Sequence, residues 1–478
     1  MDSQASCVSR LEFLKIAAAV PALLALAPLE RYLANGDSAY SYRLVKTIAD
    51  DPRYHAYILE LTSQQWRTAR EVDQPLWQHW ITIVEPADVR TDIAAIVVGG
   101  GSKTDAPPSK VPRYLSLLSL ATYSITCEVN RIPNQPLIFS DETQPRSEDD
   151  LIAYSWRQYL RTGDDGWPLR LPMTKSVVRA MDAVSDFCRR NGTGVSVKRF
   201  VVGGTSKRGW TTWMTGAVDH RVVGLVPIVI DVLNMPRTVE HTYRTYGRWP
   251  QAWHAYEELG IFNWLGTPQM DALLAIEDPF TYRERLTMPK LIVNATGDEF
   301  FVPDSSRFYY SALPGTNYLR YVPNSDHSLQ NTRPEQARTL LAFYRSLIHG
   351  SDPPNITWQD RNDGSTIVHL ERPASAKLWR ATNPSARDFR LQTIGNAFAS
   401  VDLNVSGETS FAVPAPAVQR GWEASFVEVT YTSVAGQPFT ITSDVRITPD
   451  TLPYGPPKAE HARSSKEAPW NGSFVSSP

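Results

Sequence analysis

Cysteine is scarce in this chain: three occur in 478 residues, Cys7, Cys127 and Cys188. Their spacing matches no zinc or haem pattern, so no metal site is implied. Two would survive removal of an N-terminal leader, which fits either one disulfide or two buried thiols. A basic run interleaved with aromatics is also missing, and 48 Lys and Arg nearly cancel 50 Asp and Glu. That balance excludes a partner bound along a phosphate backbone, so no nucleic acid is expected. Beyond the N-terminus no apolar stretch approaches the ~20 residues a membrane span needs. There is no internal repeat.

What is present is apolar material, 42% hydrophobic residues with 14 Trp, enough for a large core and a smaller second one. At the N-terminus, Ser9 to Lys15 precedes the apolar run Ile16 to Leu29, the anatomy of a signal peptide. The leader is similar to a twin-arginine signal whose second arginine has become Leu11, and Ala25-Leu26-Ala27 supplies a small-x-small cleavage pattern. The expectation is a signal peptide over 1–27 and a secreted or periplasmic mature protein.

Residues 55–66 and 76–86 alternate like half-buried antiparallel strands. The runs 92–101, 199–204, 222–230 and 288–297 are instead short, β-branched and closed by glycine or a polar turn, as strands covered on both faces are. Helical patterns over 147–161, 174–190 and 333–348 separate them. Strand alternating with helix predicts an α/β fold, a doubly wound, mostly parallel sheet within 40–349. Over 234–286 the rhythm lapses into an aromatic-rich helical insertion, either a lid over a site at the strand ends or an extra packing layer. Short strands recurring about every ten residues predict a small C-terminal antiparallel β-sandwich over 355–448. The Pro- and Ser-rich stretch 449–478 is expected to be a flexible tail.

The chemistry concentrates in "RFVVGGTSKRGWTTWMTGAV", where Ser206 stands between a strand and a helix. A serine held on a tight strand-to-helix turn projects its hydroxyl into the crevice at the carboxyl ends of the strands. The competing reading is a helix N-cap. The next glycine comes three residues after the serine, so Arg208 takes the place of the usual second glycine. A serine nucleophile needs a base, and the base needs a carboxylate to fix its tautomer. Asp298, in a turn after the strand "KLIVNA", and His327, after "NYLRYVP", follow in the order this fold uses. Glu299 and Asp326 are competing acids. For the oxyanion, the Lys207 amide supplies one donor and Gly99-Gly100-Gly101 the second, from Gly100 or Gly101. Glu148, Asp149 and Asp150 either bind a substrate amine or simply favour a helix N-terminus. His241 and His254 fall in the insertion as packing residues or substrate contacts.

The blocks "NRIPNQPLIF", "RSEDDLIAYSWRQYL", "WPLRLPMTKSVVRAMDAV", "GGTSKRGWTTWMTGAVDHRVVGLVPIVID" and "NATGDEFFVPDSS" resemble the PhoPQ-activated pathogenicity-related proteins. That family is similar to α/β-hydrolases and to serine peptidase catalytic domains. The resemblance implies a triad at Ser206, Asp298 and His327, no cofactor, and an ester or peptide substrate. At least one relative is regarded as a signal, so it also implies an alternative, a non-catalytic secreted binding or signalling protein.

Overall fold

Nine strands alternate with helices to build the central sheet, and their order fixes where the site lies. The computed structural model describes residues 27–49, 51–191, 196–329, 333–405 and 407–458. The expected leader therefore lies, but for Ala27, outside the described residues. The strands are β1 (Ser41–Ile48), β2 (Tyr54–Gln65), β3 (Leu76–Pro86), β4 (Ile93–Val98), β5 (Thr126–Val129), β6 (Arg199–Thr205), β7 (Val222–Ile228), β8 (Lys290–Ala295) and β9 (Asn317–Val322). They lie in the order β1-β2-β3-β5-β4-β6-β7-β8-β9. The pairs β1/β2, β2/β3 and β3/β5 are antiparallel, and every pairing from β5/β4 to β8/β9 is parallel.

A mostly parallel sheet with an antiparallel edge in this order is the α/β-hydrolase sheet. Burial explains the two strand types. β8 is buried at every position, as a strand covered on both faces must be, whereas β1 is largely exposed at the edge. The covering helices Glu148–Thr162, Arg170–Asn191, Lys207–Val218 and Arg333–Ile348 supply the apolar faces. Cys127 and Cys188 are buried free thiols in this core.

Past the last helix the chain forms two antiparallel sheets. One is β10 (Ile356–Asp360), β11 (Thr366–Leu370) and β14 (Ser410–Val413). The other holds β12 (Ser375–Asn383), β13 (Ala399–Leu403), β15 (Trp422–Val434), β16 (Gln437–Thr442) and β17 (Arg446–Thr448). Ile356, Val368 and Val413 of the first share one apolar cluster with Leu378, Val427 and Val429 of the second, so the sheets form a sandwich.

The same cluster continues into Leu291, Tyr318 and Phe343 of the nine-stranded body. Arg320 of β9 reaches Glu428 at 2.5 Å, and the Tyr321 amide donates to Thr442 Oγ1 at 2.9 Å. The sandwich is thus welded to the edge of the main sheet. The tail expected from 449 is tied down as far as Tyr454. Arg307 donates to both carboxylate oxygens of Asp450 at 2.8 and 2.7 Å, and the Tyr454 amide donates to the Arg244 carbonyl at 3.1 Å. Those polar anchors outweigh the low apolar content that suggested fraying. Among the described residues no helix is long and apolar enough to cross a membrane.

Candidate active site

Strand β6 runs into the helix Lys207–Val218 with only Ser206 between them, at φ 58° and ψ −126°. No L-residue adopts that conformation freely, and holding it costs about 1–3 kcal/mol. Two glycines make the turn possible. A Cβ on Gly204 would lie 2.6 Å from the Arg208 carbonyl oxygen, and one on Gly209 would lie 2.8 Å from the Gly204 carbonyl oxygen. The close strand-to-helix crossing that suggested a glycine at position 208 therefore falls at Gly209, and the Arg208 side chain has room to turn toward the Gly100 loop. Ser206 occupies the N-cap position but makes no capping bond. Its Oγ lies instead 2.8 Å from His327 Nε2.

Asp298 and His327 reach that point from the turns after β8 and β9, parallel neighbours in the sheet. Asp298 Oδ2 lies 2.8 Å from His327 Nδ1, while its Oδ1 accepts from the Phe300 amide at 2.8 Å. The competing acids are engaged elsewhere. Glu299 accepts from the backbone amide of His327 at 3.2 Å, and Asp326 accepts from the Ser328 amide at 3.0 Å. Burial opposes charge on His327, but the Asp298 carboxylate, helped by Glu299, outweighs it and holds the imidazole above its ordinary range. The Phe300 ring packs against that of His327, with 4.4 Å between centroids.

Parallel pairing of β4 with β6 sets Val98 beside Gly204, so Gly100 and Ser206 each stand two residues beyond the aligned strand ends. The carbonyls of the glycine loop are drawn back by the following segment. Gly99 accepts from the Ile132 amide at 3.1 Å, Gly100 from the Arg131 amide at 2.8 Å, and Gly101 from Gln135 Nε2 at 3.3 Å. Lys207 opens its helix, so its amide has no intrahelical acceptor.

A network that sequence reasoning did not assemble braces this loop. Arg208 donates to both Glu148 oxygens at 2.6 and 2.7 Å and to the Ile132 carbonyl at 2.6 Å. Lys207 Nζ donates to Asp149 Oδ2 at 2.7 Å, and Tyr256 donates to Asp149 Oδ1 at 3.1 Å. Burial works against the Glu148 charge, yet Arg208 and Lys207 pull its carboxyl down to about 2. Glu148 and Asp149 are thus counter-ions for the two cations after Ser206. Neither a bare helix-dipole role nor an unoccupied amine site describes them.

The segment 234–286 folds into helices that include Met235–Tyr246 and Pro268–Glu277. Beside Ser206 it helps line an apolar pocket of ≈ 70 Å³ whose walls include Trp210, Met235, Trp253 and Phe300. His241 is buried and lies 2.8 Å from Asp304, which also accepts from Arg387 at 2.6 Å. His254 is exposed on the rim of a larger cleft of ≈ 580 Å³, to which Arg390 and Gln392 of the sandwich contribute. The sandwich also touches both turns of the site. The Leu391 amide donates to the Gly297 carbonyl at 2.9 Å, and Asn324 exchanges two bonds with the Phe398 backbone at 2.8 and 2.9 Å. Among the described residues no group of His, Cys, Asp and Glu could hold a metal ion.

The family model for PhoPQ-activated pathogenicity-related protein matches residues 29–390. Among curated proteins, Autocrine proliferation repressor protein A of Dictyostelium discoideum is 37% identical over 456 residues, 90% of this chain and 92% of that one. Similar solved structures include acetyl xylan esterase 1 from Thermoanaerobacterium sp., with TM-score 0.45 and 13% identity over 66% of this chain and 91% of that chain. An acetyl xylan esterase from Paenibacillus sp. R4 has TM-score 0.45 and 16% identity over 70% of this chain and 96% of that chain.

Proposed function

We propose that this chain, which belongs to the PhoPQ-activated pathogenicity-related protein family, is an exported serine hydrolase that cleaves an ester or amide through an acyl-enzyme. The observation that carries the reading is the run of contacts Ser206 Oγ to His327 Nε2 to Asp298, 2.8 Å at each step, on a serine held at φ 58°. Ser206 attacks the carbonyl while His327 takes its proton and returns it to the leaving group. Asp298 fixes the tautomer that presents Nε2 as acceptor and stabilises the imidazolium. The Lys207 amide and an amide of the Gly100 to Gly101 loop receive the developing oxyanion. Carbonyls drawn back toward residues 131–135 support that role for the loop.

Purified protein treated with a fluorophosphonate probe is expected to label at Ser206, and Ser206→Ala to lose the label. Absent labelling, or equal labelling of both proteins, would refute the assignment. Export rests on the leader at 1–27, and N-terminal sequencing of secreted or periplasmic protein tests it, with an intact Met1 as the opposing result. A second reading, a secreted signalling protein, is favoured by the 37% identity to a Dictyostelium protein named as a proliferation repressor. The labelled and unlabelled forms, compared in a proliferation assay, separate signalling that needs catalysis from signalling that does not.

A further inference from the structure

Resting on the hydrolase reading, we infer that the acyl half of the substrate is a short, uncharged aliphatic group of about two to four carbons. Ser206 and Lys207 both line the ≈ 70 Å³ cavity. A carbonyl carbon seated at Ser206 Oγ with its oxygen toward the Lys207 amide therefore directs one substituent into this space. Size decides what fits: a cavity of roughly 150 Å³ accepts the six carbons of benzene, so about half of that holds a substituent of up to about three carbons beyond the carbonyl and no aromatic ring.

The walls decide polarity. Indole, phenyl and thioether groups of Trp210, Trp253, Phe262 and Met235 face the space, joined by Ile230 and Val239. The two charged groups at its edge neutralise each other, with Lys207 Nζ 2.7 Å from Asp149 and the remaining Asp149 oxygen taken by Tyr256 at 3.1 Å. An ammonium or carboxylate on the acyl group would be buried with no free counter-charge. The far wall is firm, because Trp249 stacks on Phe262 at 3.9 Å and lies 6.1 Å from Trp253 between ring centroids.

The test is a series of p-nitrophenyl esters with the full-length mature protein. Acetate and butyrate should give kcat/KM values within about 10-fold of each other, with octanoate at least about 30-fold below butyrate, as a rigid short pocket requires. Octanoate equal to or better than butyrate would overturn the inference. Trp253→Ala should lengthen the pocket and raise the octanoate-to-butyrate ratio about 10-fold, and Met235→Ala repeats the test with a smaller change should the first variant misfold. An unchanged ratio in folded variants would also overturn it. Labelling of Ser206 by fluorophosphonate is run in parallel. Labelling with a long-chain preference sinks only this inference, whereas no labelling and no ester cleavage sinks the hydrolase reading beneath it.

Discussion

Gly100→Ala should damage the protein through one contact, and the size of the damage follows from the geometry around Arg208. Gly100 is not at positive φ, unlike Gly101 at φ 127°, so alanine is conformationally acceptable there. The obstacle is steric. The new Cβ would lie 2.5 Å from Arg208 Nη2 and 2.8 Å from its Cζ. Relief requires the guanidinium to retreat by roughly 1 Å, given ordinary carbon contacts near 3.5 Å. A free arginine would simply swing away. This one is 11% exposed and fastened to Glu148 at 2.6 and 2.7 Å and to the Ile132 carbonyl at 2.6 Å.

Stretching charge-assisted bonds forfeits part of the ~1.5–3 kcal/mol each contributes. Because the Glu148 side chain is 39% exposed and regains water, the net cost should be about 1–2 kcal/mol. If the loop carries the proposed oxyanion donor, displacing it by a comparable distance should lower kcat about 10²-fold. The check is a double-mutant cycle with Arg208→Ala, read by urea unfolding and by ester turnover. With the guanidinium gone, Gly100→Ala should cost less than about 0.5 kcal/mol, a coupling energy near 1 kcal/mol or more. Equal costs in both backgrounds would refute the argument. Acid supplies a further control. The Glu148 carboxyl sits near 2 when folded, against 4.5 unfolded. Its contribution is present above pH ~4.5 and is lost as pH falls toward ~2, so the stability deficit of Arg208→Ala should shrink over that interval.

Three other perturbations test separate parts of the structure. Asp298→Asn removes the carboxylate that holds His327 above its ordinary range, so turnover should fall about 10³–10⁴-fold. Since His327 must be neutral to act as the proposed base, the residual acidic limb of kcat/KM should move to lower pH, and a limb that stayed in place would count against the pairing. Asp231 is 2% exposed, and burial pushes its carboxyl up to about 7 from 3.8, so wild-type stability should decline as pH rises from ~4 to ~7. Asp231→Asn keeps an acceptor for the Tyr321 hydroxyl, now at 2.5 Å, and should abolish that decline, raising stability at pH 8 by about 2–4 kcal/mol in chemical denaturation. Arg387→Met leaves Asp304 buried with His241 and the more distant Arg307, 3.5 Å away. Breaking a buried pair costs about 3–5 kcal/mol, and the remaining partners should hold the loss to about 2–3, so a urea-unfolding deficit under 1 kcal/mol would contradict the role given to Arg387.

The elements that pattern made legible were those whose burial is regular. The helix predicted over 333–348 matches Arg333–Ile348, and the β-branched runs became β4, β6, β7 and β8. The edge strand β1 and the four-residue β5 escaped notice, the first because it is largely exposed and carries little alternation, the second because it is too short for a period to register. The helix Arg113–Thr122 was missed as well. Tyr114 and Leu117 stand exposed on it, which blurs the apolar stripe that a periodicity argument needs. The order Ser206, Asp298, His327 was legible because strand succession alone sets it.

What a sequence could not disclose is the pairing of charges from distant segments, and here those pairings decide how the site is held. Glu148 and Arg208 are 60 residues apart, and Asp304 and Arg387 are 83 apart. The second pair alters how the sandwich should be understood. Pattern made it a separate C-terminal sandwich, yet Arg387 lies between β12 and β13 and shares Asp304 with His241 of the insertion. From the same connection, the Leu391 amide bonds the residue preceding Asp298, and the Phe398 backbone grips Asn324, three residues before His327. Gly297 has no side chain because a Cβ there would fall 2.8 Å from the Leu391 nitrogen. A single stretch of the sandwich thus presses on the acid turn, the histidine turn and the insertion at once. A domain serving only as a spacer would need none of these contacts. Their convergence makes the sandwich part of the scaffold that keeps Asp298 and His327 within 2.8 Å of each other.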